Sequence, residues 1–147
     1  MFLGNFYTPV RFKFARKHFG KNRCKILDVG CGNYSPSLTK RWFPNSIYHG
    51  ADIQEYKLSA ADHSAMDEFF TIGPNGRDGY GSIPNDSYDF VILNHVIEHI
   101  VDQEAAIRSV CSKLKPGGLI WIAFPSPKSL NFPSGVGTLN FCDDPTH

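Results

Sequence analysis

Short apolar runs, each closed by an acid or by turn residues, set the rhythm of this chain. Residues 24–29, 47–52, 88–94 and 119–124 are each at least half aliphatic or aromatic. Runs this short and this apolar predict strands buried on both faces, as in a parallel sheet. Helical patterns fall between them. Residues 8–19 predict a first helix, with Thr8 as N-cap and Pro9 at the first helical position. Ser35 or Pro36 opens a second, which runs to Phe43 and is stopped by Pro44-Asn45. Asp102 caps a third, in which Ile107, Val110, Cys111 and Leu114 recur at helical spacing. Pro116-Gly117-Gly118 is expected to end it. Residues 57–70 are expected to hold a short helix and a third strand. Residues 73–85 carry five glycines and prolines before Ile83 and predict a loop. A loop of that length in a compact domain is commonly functional. The alternation of strands and helices predicts an α/β fold around a doubly wound, mainly parallel sheet with five visible strands.

The sharpest chemical signal is Ile26-Leu27-Asp28-Val29-Gly30-Cys31-Gly32-Asn33. A buried strand ends near an acid and feeds two glycines one residue apart. Glycine at 30 and 32 lets the backbone turn sharply and approach a ligand closely. Asp52 closes the next strand twenty-four positions after Asp28. An acid at the end of the second strand of a βαβ unit can accept hydrogen bonds from both ribose hydroxyls of a nucleoside. Two cofactor chemistries fit this layout. A dinucleotide such as NAD calls for Gly-x-Gly-x-x-Gly, with helix amides around a pyrophosphate. Here Asn33, Tyr34 and Ser35 follow Gly32, so the third glycine is absent. A carboxylate just before the turn would also repel a pyrophosphate. Asp28 suits a cationic ligand part better, and S-adenosylmethionine carries an ammonium beside an adenosine. The residues therefore favour that cofactor over NAD, and disfavour an NAD-dependent oxidoreductase.

Asp28-Val29-Gly30-Cys31-Gly32 resembles the first motif of the class I S-adenosylmethionine-dependent methyltransferases, in their small-molecule, type 11-like branch. Two further blocks stand in that family's order and spacing. One is residues 85–100, which carries Glu98-His99 after the fourth strand. The other is Leu114-Lys115-Pro116-Gly117-Gly118 with the strand that follows. The resemblance spans residues 24–125 and implies a Rossmann-like fold and methyl transfer to a small-molecule acceptor such as a sugar, a lipid or a quinone-like compound. The other reading is a non-catalytic S-adenosylmethionine-binding or regulatory module. By this resemblance Asp28 lies near the methionine ammonium, and Gly30, Cys31 and Gly32 form the ligand-facing turn. Asp52 takes the ribose hydroxyls and Ile53 the adenine face. Asp67 receives the adenine amino group, with Asp62 a competitor, and Asn94 touches the methionine part. Tyr34 departs from the family's third glycine and is expected to narrow the methionine pocket.

Catalysis is harder to place, because methyl transfer needs alignment and only sometimes a base. His99 is a candidate base, since histidine exchanges protons near neutral pH. It and Glu98 could equally tie the helix start to neighbouring loops. His95 and His99 would share a face on a helix. That spacing occurs in metal sites, but no third ligand is placed by the sequence and no metal is expected. Asp144-Pro145-Thr146-His147 resembles a stretch near the acceptor site of look-alike enzymes, which makes His147 a second candidate base.

The family implied here adds a helix and an antiparallel strand pair after the fifth strand. Residues 126–147 are too irregular to supply them, with prolines, glycines, Ser and Asn throughout. The expected organisation is a cofactor-binding domain over residues 1–125 and an irregular tail over 126–147, the start of an acceptor-site segment in a longer protein. The fifth strand would then be an open edge unless the tail or a second copy in a homodimer covers it.

Composition narrows the picture further. The chain has 147 residues, 41% hydrophobic and 20% charged, as in a soluble globular domain. Net charge is +1, from 15 basic and 14 acidic residues, which argues against broad nucleic-acid binding. No Asn/Asp-Pro-Pro-Tyr/Phe segment follows the fourth strand, so DNA-base amino methylation is not expected. Seven cations between Arg11 and Lys25 precede the first acid and read as a solvated helix face. Cys24, Cys31, Cys111 and Cys142 lack Cys-x-x-Cys spacing and read as reduced thiols of a cytoplasmic protein. No apolar run reaches the ~20 residues of a membrane helix, so no membrane insertion is expected.

Overall fold

A computed structural model describes residues 9–20 and 22–126. Five strands form its sheet: β1 (Lys25–Val29), β2 (Ile47–Asp52), β3 (Glu68–Thr71), β4 (Tyr88–Asn94) and β5 (Leu114–Ala123). Their order is β3-β2-β1-β4-β5, and every neighbouring pair is parallel. The helices are α1 (Val10–Phe19), α2 (Ser35–Trp42), α3 (Ala60–Ala65) and α4 (Gln103–Cys111). Short 3₁₀ turns occupy Tyr80–Ser82 and Ile97–His99.

The apolar runs form strands because both faces of the sheet are covered. Phe90, Val91, Ile92 and Leu93 of β4 are all fully buried. The period of two sends alternate residues to opposite layers. Leu27, Val29, Val91 and Leu93 join Ala106 and Val110 of α4 on one face. Ile26, Tyr48, Phe90 and Ile92 join Phe12 of α1 and Phe43 on the other. The chain winds outward from β1 to β3, then crosses back to place β4 on the other side of β1. The loops leaving β1 and β4 therefore diverge, which opens a crevice at their carboxyl ends.

The expected α/β architecture is what the structure holds, with local differences. Pro9 precedes α1 in an extended conformation, and α1 begins at Val10 with no side-chain cap. Thr8, expected as that cap, lies outside the described residues. The fourth helix ends at Cys111, so Leu114 opens β5 instead of closing a helical turn. Pro116-Gly117-Gly118 lies inside β5, where the register jumps from Tyr88–Leu114 to Phe90–Leu119. Pro116 offers no N–H to the ladder, and Gly117 takes φ +78°, so this stretch bulges out of the pairing. Among the described residues β5 pairs with β4 alone.

Candidate functional site at the carboxyl edge of the sheet

A cavity of about 650 Å³ opens at the carboxyl ends of the strands. That size suits a cofactor-sized ligand. Segments following four strands build its wall. The turn after β1 contributes Gly30, Gly32 and Asn33, and the end of β2 contributes Asp52, Ile53 and Tyr56. The loop after β3 contributes Ile72, Gly73, Pro74 and Tyr80. The segment after β4 contributes His95, Val96, His99 and Ile100.

Only glycine fits the turn at positions 30 and 32. Gly30 has φ +76°, and a Cβ there would run into the Val96 side chain. At Gly32 a Cβ would lie 2.9 Å from the Tyr56 carbonyl oxygen. The Gly30 amide donates to the Ala51 carbonyl at 2.7 Å, which ties the turn to β2. Asn33 and Tyr34 follow with φ +54° and +63°, so Tyr34 holds the left-handed backbone that a third glycine would adopt without strain. The Tyr34 side chain is 58% exposed, and Tyr34 does not line the cavity.

Asp52 sits at the mouth of this turn. Its Oδ1 accepts the Ile53 amide at 2.7 Å, and the Gly32 amide also supports the carboxylate. Partial burial still raises its pKa above the ordinary 3.8. Ile53 presents an apolar side chain to the cavity and is 52% exposed, an uncommon degree for isoleucine.

Four other expected residues stand elsewhere. Asp28 is 1% exposed and does not line the cavity. Its Oδ2 accepts from Ser35 Oγ at 2.6 Å and from the Tyr48 hydroxyl at 2.7 Å, anchoring the start of α2 to β1 and β2. Cys31 turns its side chain into the core, so close to Gly50 that a Cβ there would lie 2.6 Å from Sγ. Asp67 precedes β3, at the amino edge of the sheet and away from the cavity. Its Oδ2 accepts from Lys40 Nζ at 3.0 Å and from the Tyr48 amide at 2.7 Å. Its competitor Asp62 is fully buried and closes a capping box with Ser59. Asn94 ends β4 and leads into the cavity-lining pair His95 and Val96.

The segment after β4 is not the α-helix that would align His95 and His99. His95 takes φ +57°, and Ile97–His99 forms a 3₁₀ turn, yet both histidines line the cavity. His95 Nδ1 lies 3.5 Å from Glu98 Oε1. His147 lies outside the described residues, as does Cys142. Tyr56, Ile72, Tyr80 and Val96 are wall residues that sequence reasoning missed. The only local signal was the glycine- and proline-rich loop after β3. Among the described residues no cluster of three or more His, Cys, Asp or Glu could hold a metal ion. Among them, too, no helix is long and apolar enough to cross a membrane.

The chain was compared with known proteins. It is 31% identical over 124 residues to a ubiquinone biosynthesis O-methyltransferase of Shewanella sp. (strain ANA-3), an alignment covering 79% of this chain and 50% of that protein. The chain thus spans about half the length of that relative. Its fold resembles that of a SAM dependent methyltransferase from Archaeoglobus fulgidus, with a TM-score of 0.61 and 22% identity, over 94% of this chain and 60% of that one. It also resembles phosphoethanolamine N-methyltransferase 2 of Haemonchus contortus, solved with S-adenosyl-L-methionine, with a TM-score of 0.56 and 23% identity, over 75% of this chain and 27% of that one. A family model described as a methyltransferase domain matches residues 8–134. With that match laid over the glycine turn and the acid that closes β2, the chain belongs to the methyltransferase domain family.

Proposed function

We propose that this domain binds S-adenosylmethionine in the carboxyl-edge cavity and serves methyl transfer to a small-molecule acceptor. The observation that carries the reading is Asp52 facing the same cavity as the Gly30–Gly32 turn, with the exposed Ile53 beside it. Asp52 is an acceptor suited to ribose hydroxyls, and Ile53 offers an apolar face to adenine. The turn provides the close backbone approach that only glycine allows at these two positions. Asp28 serves by anchoring that turn through Ser35, and Asn94 by delivering His95 and Val96 to the wall.

The cofactor supplies a methyl group on a cationic sulfur. The chain's own residues then have to hold, align and deprotonate. With a hydroxyl acceptor, its proton passes to an imidazole at the cavity, and His99 is the residue proposed for that role. The quinone-like class of acceptor is favoured over sugars and lipids by the ubiquinone O-methyltransferase name of the relatives.

Calorimetric titration with S-adenosylhomocysteine, with NAD as control, tests the reading. Binding of the first and none of the second is expected. Asp52→Asn keeps one oxygen acceptor but loses the charge, and should weaken binding by about 1–2 kcal/mol. Absence of binding to well-folded protein would overturn the proposal. Unchanged affinity in Asp52→Asn would remove Asp52 from the site.

A further inference from the structure

Charge is distributed unevenly along this chain. Residues 1–25 hold seven of its 15 basic side chains and no acid. The other 122 residues hold eight basic and 14 acidic side chains, a net charge of −6 there. A local excess of this size attracts anionic partners even though the whole molecule is nearly neutral.

Four of the seven cations lie on α1, and the solvent side of that helix is not simply polar. Phe12 and Ala15 are fully buried and define its inward face. Phe12 meets Phe43 edge-on with ring centroids 5.8 Å apart, which fixes the roll of the helix. With about 3.6 residues per turn, Val10, Lys13, Phe14 and Lys17 fall on the opposite face. Val10 is 56% and Phe14 50% exposed, and both lysines are exposed as well. Arg16 stands beside them, its guanidinium carbon 5.3 Å from the Trp42 ring centroid. Among the described residues Arg16, Lys17 and Arg23 form no ion pair. Their charge is therefore open to an outside partner.

That partner has to be anionic and also has to receive an aromatic and an aliphatic side chain. A second copy does not fit, because a two-fold contact would set these cations against each other. A nucleic-acid backbone answers the cations but leaves Val10 in water. The boundary between headgroups and acyl chains of an anionic bilayer answers both demands. Cations stay among the lipid phosphates while apolar side chains enter below them.

We propose that the outward face of α1 rests on an anionic membrane surface. Val10 and Phe14 enter the interface, and Lys13, Arg16 and Lys17 meet the lipid phosphates. The contact is peripheral, since no helix among the described residues is long and apolar enough to cross a membrane. It stands whether or not the cavity binds S-adenosylmethionine.

The test is co-sedimentation of the full chain with vesicles of equal parts phosphatidylcholine and phosphatidylglycerol, against vesicles of phosphatidylcholine alone. Duplex DNA is titrated alongside. The protein should pellet with the anionic vesicles and stay in solution with the neutral ones. Lys17→Glu should weaken partitioning about five- to thirtyfold, and Phe14→Ser about three- to tenfold. Both side chains are exposed, so each variant should keep the parent's Tm. Arg108→Glu reverses the same charge at an exposed position of α4, which covers the other face of the sheet. It should leave partitioning within about twofold of the parent protein. Equal recovery with both kinds of vesicle, or with neither, would overturn the proposal. So would an equal loss in Arg108→Glu and Lys17→Glu, which would make net charge the cause. Partitioning unchanged in Phe14→Ser would also overturn it, by removing the apolar contact. DNA binding lost in Lys17→Glu, with no vesicle binding, would assign the face to nucleic acid instead.

Discussion

Asp28→Asn should change how stability depends on pH, and by an amount the structure sets. Asp28 is 1% exposed and, among the described residues, accepts two hydroxyl hydrogen bonds, from Ser35 and Tyr48. Burial raises its pKa from an ordinary 3.8 to about 6, against the opposing pull of those bonds and of Arg11. An acid whose pKa is raised on folding binds more protons in the native than in the unfolded state. Stability therefore falls as pH rises from about 4 to about 6, and the full cost persists above that window. A shift of about two units corresponds to roughly 3 kcal/mol. Asparagine keeps an oxygen for Ser35 and Tyr48 but carries no charge, so it removes the titration. Urea unfolding of both proteins across pH 4 to 7.5 reads the difference directly. The variant's stability relative to the parent should grow by roughly 3 kcal/mol over that range. Any constant offset from the new amide group drops out of the comparison. A difference that does not vary with pH would refute the argument, because it would mean that the carboxylate is not desolvated. A difference that shrinks with rising pH would reverse it, and would show the ionised form to be the one the fold prefers.

Gly30→Ala should destabilise the protein by about 2–4 kcal/mol, combining overlap with Val96 and a left-handed backbone. Urea unfolding gives the first number, and S-adenosylhomocysteine titration of any folded fraction should show binding lost. Tyr34→Gly should instead stabilise by about 0.5–1 kcal/mol, since relief of the left-handed strain exceeds the added freedom of the unfolded chain. Little packing is lost, because Tyr34 is mostly exposed. A drop in the urea midpoint would show that the side chain makes contacts that outweigh the strain.

Methyltransferase ancestry was readable before any coordinates because its marks are local. The glycine pair, the acid closing β2 and the Glu98-His99 step each occupy a few adjacent positions. The side on which each residue faces is not local. Asp28 and Gly30 are two apart, yet Asp28 lies on the α1–α2 face, beneath a turn that its neighbour exposes to the cavity. Cys31 lies between two cavity glycines and still points into the core. The resemblance gives Asp67 to the adenine, but pattern alone does not bound the third strand. Once β3 is placed at Glu68–Thr71, Asp67 stands at its amino end and the cavity belongs to Ile72–Pro74.

By itself the sequence determined four apolar strands, a parallel α/β sheet and the glycine turn at positions 30 and 32, because apolar periodicity and turn propensity act over a few residues. Tertiary structure decided which further side chains join Gly30, Gly32, Asp52, Ile53 and His99 at the site, and which expected ones do not. Tyr56, Tyr80, Val96 and the two histidines leave three different strands and meet at one edge, an encounter set by strand order. It also decided that Asp28 would be desolvated, since its burial depends on α2 and on Tyr48 of β2, twenty residues further along the chain.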